Sequence, residues 1–364
     1  MTSTTTTTTD PDPARIEAFG TQLLGAYVGA ATTAMVALGH ETGLFEAAAG
    51  GPATSTDLSE RAELSERHVR EWLGSMVTAG VFTYDPADGS YRLPPEHALL
   101  LTGDTAMNQA VLAPMSVHLS GHVDDVAERF RTGGGVSYDE YRPAFTDAMD
   151  EIGRRRYDAS LIGSYLPCAD GLLDRLEDGI DVADLGCGTG HCINLMARQF
   201  PASTFVGYDI ADDALELGRA EAAAWGLANV RYERRDVADL DDLERFGLIT
   251  AFDAIHDQVD PDAMLAGACA ALEPGGTFFA VDIKASSNLE DNVGNPLAPF
   301  IYAVSVLHCM EVSLAGDGAG LGTARGRELA CRMLGEAGFE GIEVHDMDDD
   351  PLNVIYTCRR PVSP

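Results

Sequence analysis

From residue 181 onward, short apolar runs that each reach an acid alternate with segments whose apolar residues recur at helical spacing. The runs are Asp181-Val-Ala-Asp184-Leu, Thr204-Phe-Val-Gly-Tyr-Asp209-Ile210, Val230-Arg-Tyr-Glu-Arg-Arg-Asp236-Val237, Leu248-Ile-Thr-Ala-Phe252-Asp253 and Gly275-Gly-Thr-Phe-Phe-Ala-Val-Asp282. Apolar runs this short, bounded by turn residues, predict buried strands. Their alternation with helices predicts an α/β fold built on a doubly wound parallel sheet. A helix over Gly326–Gly338 and strands over Gly341–Asp346 and Leu352–Arg359 are predicted to complete it. Sheets of this kind bind ligands beyond the carboxyl ends of their strands, where all five acids fall.

The chain before this alternation has a different rhythm. Ile16–Glu46 predicts a helix rich in small residues, and Thr56-Asp57-Leu58 and Ser65-Glu66 each open a shorter one with a capping residue. Val69, Trp72, Leu73, Met76 and Val77 form one apolar stripe at i, i+3, i+4 spacing. Val81–Tyr84, a turn over Asp85–Ser90 and Tyr91–Leu93 then predict a hairpin. Three helices followed by a hairpin is the order of a winged helix. The expected division is a disordered threonine-rich tail at 1–14, a winged-helix dimerisation domain at 15–105, a helical linker and pocket wall at 106–165, and the sheet domain at 166–364.

Composition narrows the partners. The 364 residues carry 58 Asp and Glu against 24 Lys and Arg, a net charge of −34. Such a surface repels phosphate backbones. The exposed residues expected on the second short helix, Glu66, Arg67, His68, Arg70 and Glu71, are mixed in sign, and Asp85 and Asp88 occupy the hairpin turn. No nucleic-acid partner is expected. Seven scattered cysteines without a C-x-x-C pair argue for a reducing, cytoplasmic setting. Cys187, His191 and Cys192 lie close in sequence but lack a second Cys/His pair at zinc spacing, so no metal is expected. No run reads as long enough to span a membrane, and the tail lacks the basic start and apolar centre of a signal peptide.

The turn after the first sheet strand, Leu185-Gly186-Cys187-Gly188-Thr189-Gly190, carries the chemistry. Alternate glycines allow a tight turn and a close approach of backbone to ligand. A dinucleotide loop needs a third glycine at position 191, which is His, and a phosphate loop needs a Lys-Ser/Thr pair that is missing. A ligand with a cationic amino-acid end and no phosphates remains, with Asp184 placed to meet the cation. Asp209 is placed to accept from ribose hydroxyls. S-adenosylmethionine (SAM) fits that description. The segment resembles motif I of class I SAM-dependent methyltransferases. The resemblance implies a seven-stranded Rossmann-like sheet and S-adenosylhomocysteine as product. It also implies an adenine contact at Asp236 and Val237, with Ile210, Phe252 and Asp253 completing the cofactor site. One of Arg154, Arg155 and Arg156 is a candidate for the SAM carboxylate.

His256-Asp257-Gln258 follows the fourth sheet strand, at the rim of that site. An imidazole there can take a proton from a hydroxyl as a methyl group arrives, with Asp257 in support. Winged helix, SAM sheet and this His-Asp pair together resemble small-molecule O-methyltransferases of the caffeate and hydroxyindole type. The fifth strand and the segment after it are similar to actinobacterial, including mycobacterial, winged-helix methyltransferases. Where the first group has His-Asp-Trp, this chain has Gln258. The resemblance implies that an insertion at about 284–322 caps the active site. Candidate substrate contacts are His118, Asn292, Tyr302 and His308. The expected activity is methyl transfer to a small molecule, with oxygen as acceptor, by a homodimer with no membrane partner. N-, S- or C-methylation, other chemistry on bound SAM, and a SAM-responsive transcriptional regulator stay open.

Overall fold

The computed structural model describes residues 10–348 and 350–362; the expected disordered tail lies for residues 1–9 outside them. Two compact units divide between Val117 and His118.

The first unit begins with helix Pro13–Glu41, capped by the Asp12 carboxylate, which accepts from Ala14 N–H. The predicted single helix to Glu46 is broken at Thr42-Gly43. Gly43 sits at φ 70°, and a new short helix, Leu44–Ala48, starts there. A left-handed residue ends helices because it redirects the backbone, and glycine adopts it without steric cost. Helix Ser55–Arg61 opens on a full capping box between Thr54 and Asp57. Helix Glu66–Thr78 buries Val69, Trp72, Leu73 and Met76, as the stripe predicts. Strands β1 (Thr83–Asp85) and β2 (Ser90–Arg92) form the antiparallel hairpin. They start later than the sequence suggests because the N–H groups of Val81 and Phe82 both turn back to Met76 C=O, closing the helix. Trp72 anchors this core: its indole N–H donates to Met35 C=O at 2.8 Å, and its ring lies 5.4 Å from those of both Phe45 and Phe82.

The second unit holds seven strands: β3 (Asp181–Leu185), β4 (Thr204–Asp209), β5 (Val230–Arg234), β6 (Phe246–Phe252), β7 (Leu272–Ile283), β8 (Glu340–Met347) and β9 (Asp350–Arg359). Their order across the sheet is β5-β4-β3-β6-β7-β9-β8, with β9 antiparallel to both neighbours and the rest parallel. The chain leaves β3 first toward β4 and β5, then crosses back to β6 and β7. The gap between β3 and β6 is therefore the switch point where a doubly wound sheet opens a ligand crevice.

Side chains of successive residues point to opposite faces, so the inner strands β3, β4, β6 and β7 each feed two cores. Ala183, Val206, Ile249 and Ala280 pack into one. Val182, Phe205, Leu248 and Phe279 pack into the other. A strand buried on both faces has no polar side to show, which explains the continuous apolar runs.

Two stretches correct the expectation about membrane-length runs: Pro13–Glu41 and Ala298–Ala315 are long and apolar enough to cross a membrane by length and composition. The second is three segments in series, helix Ala298–Val304, a π-helical turn Ser305–Cys309 and helix Met310–Ala315.

Replacing Trp72 with alanine is expected to destabilise the first unit by about 3–5 kcal/mol. Urea unfolding followed by far-ultraviolet circular dichroism should show an early transition that wild type lacks.

Candidate active site

The glycine turn leaves β3 with Gly186, Gly188 and Gly190 all at positive φ, 68°, 53° and 72°. A Cβ on Gly186 would come within 2.7 Å of the Ala254 methyl, whereas one on Gly188 would meet nothing within 4 Å. Gly188 therefore borders open space, while Gly186 lets the turn lie against the chain leaving β6. Cys187 packs inward beside Gly207, and burial pushes its thiol well up.

Asp184 is 1% exposed and accepts from Thr250 Oγ1 at 2.7 Å. Burial pushes its carboxyl up to about 7. Asp209 accepts from Gly188 N–H at 2.8 Å through Oδ2 and from Ala211 N–H at 2.9 Å through Oδ1. Each oxygen keeps a lone pair for a further donor. Burial raises its carboxyl, and the two backbone donors resist that rise. Two carboxylates beside a bare glycine turn, with no cation among those donors and acceptors, suit a ligand that brings its own positive charge and hydroxyls. The residues fit the amino-acid and ribose ends of SAM.

A polar frame supports the turn from below. The Tyr232 hydroxyl donates to Asn194 Oδ1 at 2.6 Å and contacts Gly190 C=O at 3.2 Å. His191 opens helix His191–Gln199 with Nδ1 3.0 Å from Glu221 and Nε2 3.1 Å from Asp158. Burial would raise Glu221, but hydrogen bonds from His191, Asn194 and Arg154 outweigh it and hold the carboxyl down to about 2.

The triple arginine is already paired. Arg154 binds Asp150 and Glu221, Arg155 binds Glu151, and Arg156 binds Asp253 at 2.7 Å. Asp253 itself has φ 52°, an uncommon backbone for an aspartate, and its Oδ1 is buried without a partner. Phe252 beside it packs edge-on against Tyr157, ring centroids 5.2 Å apart. Ile210 is half exposed. Asp236 is exposed and caps the turn Val237–Asp239 by accepting from Ala238 N–H, so the third strand ends at Arg234 rather than at Val237.

His256 lies in the short turn Ile255–Asp257 after β6, and it is 3% exposed. Its Nδ1 is 2.6 Å from Asp282 Oδ1, while Nε2 is 3.4 Å from Asp257 Oδ1. Asp282, at the end of β7, therefore orients the ring more closely than the adjacent Asp257. Arg325 Nη2 donates to the other oxygen of Asp282 at 2.6 Å. Burial opposes a charge on His256, yet Asp282 and Asp257 outweigh it and hold the imidazole well above its usual range. Burial would lift Asp282, but Arg325 and His256 hold it well below the usual carboxylate range. Asp257 is raised, burial being the main cause. Donor atoms of His256, Asp257 and Cys309 lie within 4.8 Å of one another. Within this cluster His256 faces Asp257 through Nε2 and is tied outside it to Asp282, which also binds Arg325.

Of the four substrate candidates, His308 comes nearest. It is fully buried, with Nδ1 4.0 Å from Asp257, its ring stacked on Phe145 at 3.6 Å, and Nε2 without a partner. Burial pushes this imidazole well down. His118 is held by Tyr141 C=O at 2.9 Å. Asn292 and Tyr302 come together but bond within the insertion: the Asn292 amide donates to Ser286 C=O and to the Tyr302 hydroxyl, and its oxygen accepts from Ser286 N–H. Asp282 and Arg325 are absent from the sequence expectation as site residues. Asp282 ends an apolar run just as Asp184, Asp209 and Asp253 do, which was signal enough; Arg325 has no comparable mark.

Residues 30–103 match the family model described as an Rv2258c-like winged HTH domain, and residues 176–299 match a methyltransferase domain. A ubiquinone biosynthesis O-methyltransferase from Neisseria meningitidis serogroup C is 34% identical over 196 residues, covering 50% of this chain and 77% of that protein. The chain belongs to the SAM-dependent methyltransferases. Human N-acetylserotonin methyltransferase, solved in complex with SAM, superposes with a TM-score of 0.70 at 18% identity, over 97% of this chain and 99% of that one. The mitomycin 7-O-methyltransferase MmcR superposes at 0.69 and 18% identity, over 96% of this chain and 100% of that one. At such identity both are likenesses of fold. Several curated relatives of this methyltransferase are matched over less than half of their length.

Proposed function

We propose that this methyltransferase moves the methyl group of SAM to the oxygen of a small molecule, with His256 as the proton acceptor. The observation that carries the reading is the buried pair His256–Asp282 at the carboxyl ends of β6 and β7, beside a glycine turn flanked by Asp184 and Asp209. SAM, when bound, supplies a methyl group on a sulfonium, already an electrophile. The chain must hold an acceptor in line and take one proton. His256 Nδ1 is tied to Asp282, which leaves Nε2 facing Asp257 as the nitrogen that receives it. Asp184 is assigned to the cofactor's ammonium and Asp209 to its ribose hydroxyls. Asp236, Val237, Ile210, Phe252 and Asp253 are assigned to the adenine side, and His308 to the acceptor pocket.

The winged-helix unit is assigned to dimerisation. Ile16, Phe19, Leu23, Leu24, Tyr27 and Val28 line helix Pro13–Glu41 at helical spacing, and Leu24 and Tyr27 are 63% and 64% exposed. An apolar stripe of this size facing water needs a cover, and small residues beside it permit close helix contact. A DNA-reading role is less well supported. Arg67 and Arg70 are paired with Glu71 and Glu66 on their own helix, which offsets their charge toward phosphate. Seven unpaired thiols support a cytoplasmic setting.

SAM affinity is expected to weaken as the pH falls from 7 to 5. Asp184 is neutral below about 7, and the neutral acid no longer attracts an ammonium group that stays charged throughout. The limiting slope is about tenfold per pH unit. Calorimetry showing constant affinity across that range would remove Asp184 from the ammonium role.

His256→Ala is expected to leave SAM affinity nearly intact and to cut turnover about 10²–10⁴-fold. The wild-type rate is expected to rise with pH beyond the usual imidazole range, because the flanking acids keep the ring protonated. The assay is labelled methyl transfer from SAM into a cell extract, with mass identification of the product. Near wild-type turnover in the variant would exclude the base role.

Sedimentation velocity at micromolar concentration is expected to show a dimer that the double substitution Leu24→Glu, Tyr27→Glu converts to monomer. A wild-type monomer, or a helix that carries the protein to lipid vesicles on flotation, would overturn the assignment.

A further inference from the structure

The carboxylate of Asp282 is shared between two cations that come from different parts of the chain. His256 arrives from the turn after β6, and Arg325 from the segment that closes the insertion. All three side chains are buried: Asp282 is 2% exposed, His256 3% and Arg325 6%. Each cation takes a different oxygen, both at 2.6 Å, and Ile283 N–H adds a third donor at 2.7 Å.

Arg325 is held in place by the insertion itself. Its C=O accepts from Ser287 Oγ at 2.5 Å, at the start of the insertion. Two residues earlier, Thr323 Oγ1 donates to Ile301 C=O at 2.8 Å, in the middle of it. Arg327 N–H donates to Ala285 C=O at 3.1 Å, and the Glu328 carboxylate accepts from Ser287 N–H at 2.7 Å. Gly326, at φ 74°, lies so close to Ser287 that a Cβ there would come within 2.7 Å of the Ser287 Cα. The guanidinium reaches Asp282 when both ends of the insertion are clasped together.

We propose that Arg325 is a positioning residue that couples the seating of this insertion to the proton-accepting power of His256. The proposal rests on His256 being the proton acceptor. Two cations that share one carboxylate compete for it. With the insertion seated, Arg325 takes part of the Asp282 charge, and His256 releases its proton more readily. With the insertion lifted, the whole carboxylate serves His256, the ring keeps its proton, and no base is available. The other groups facing His256 stay behind when the insertion's closing segment moves or are neutral. Asp257 sits on the same turn, the Cys309 thiol is pushed up to about 12 and stays protonated, and His308 is held neutral by burial. The ring's proton is thereby held less tightly when the site is covered than when it is open and wet.

The test is the titration of the His256 ring by nitrogen-15 NMR in the full chain without SAM or acceptor, its signal assigned among nine histidines by its loss in His256→Gln. Arg325→Met is expected to move the midpoint up by about one to two pH units, and Asp282→Asn to move it down by about one to three. Arg325→Lys, which restores a cation, is expected to bring the midpoint back toward wild type. If Arg325→Met does not fold, Arg325→Gln takes its place. A merely structural arginine would leave the midpoint where it is, and an unmoved or lowered midpoint in the folded Arg325 variant overturns the proposal. In turnover assays the acid limb of kcat is expected to follow the same shifts while the SAM dissociation constant stays within about twofold. Midpoints that shift as expected in a protein that methylates nothing would sink the methyl-transfer reading and leave the coupling intact.

Discussion

Asp282 sits at the end of a strand buried on both faces, where an unpaired carboxylate would cost several kcal/mol. At 2% exposure it is cut off from bulk solvent, so it is met by charge from within the protein. The sheet supplies the position, and two separate segments supply the cations. One consequence is geometric: His256 cannot rotate freely, because Nδ1 is spoken for, and Nε2 is left to face Asp257. Another is topological. The segment carrying Arg325 must return to the sheet after the insertion, so the long excursion between β7 and β8 has a fixed anchor at each end. The hydrogen bonds of Ser287, Thr323 and Arg327 are what that anchoring looks like locally.

The glycine turn obeys the opposite logic. Asp184 and Asp209 are also buried acids at strand ends, yet among the described residues neither forms an ion pair; Thr250 and backbone N–H groups donate to them, and Arg142 acts on Asp209 only through its charge. Burial therefore drives both carboxyls upward, where Asp282 is driven down. The same residue type at the same kind of position ends in two electrical states. The partner supplied, or withheld, makes the difference. An acid left unpaired by the protein is one that a cationic ligand can pair.

How far the sequence was legible follows from the range of the forces involved. Strand positions were read within a few residues because double-sided burial requires continuous apolar runs, and the acids at their ends stand out against them. The break at Thr42-Gly43 was missed since apolar periodicity passes through a single left-handed residue unmarked. The third strand was overextended because Asp236 looks like a strand-end acid but serves as a cap. The partnership of His256 with Asp282 was hidden by a different limit. Adjacent Asp257 was the visible candidate, whereas register across β6 and β7 decided the contact, and register is not written in either strand alone. Arg325 was beyond reach for the same reason: its partner is chosen by where the insertion comes back. His308 and Cys309 meet Asp257 on a π-helical turn, an i→i+5 bonding pattern with no reliable side-chain signature.

Gly326 has no side chain, touches no candidate ligand, and opens helix Gly326–Glu336 at φ 74°. Its neighbour Ser287 leaves no room for even one methyl group. A change as slight as alanine there would wedge the two ends of the insertion apart, at a distance from anything that resembles an active site. Among descendants of this chain, such a lesion would pass for a conservative exchange remote from the chemistry, and the inherited loss would be one of timing.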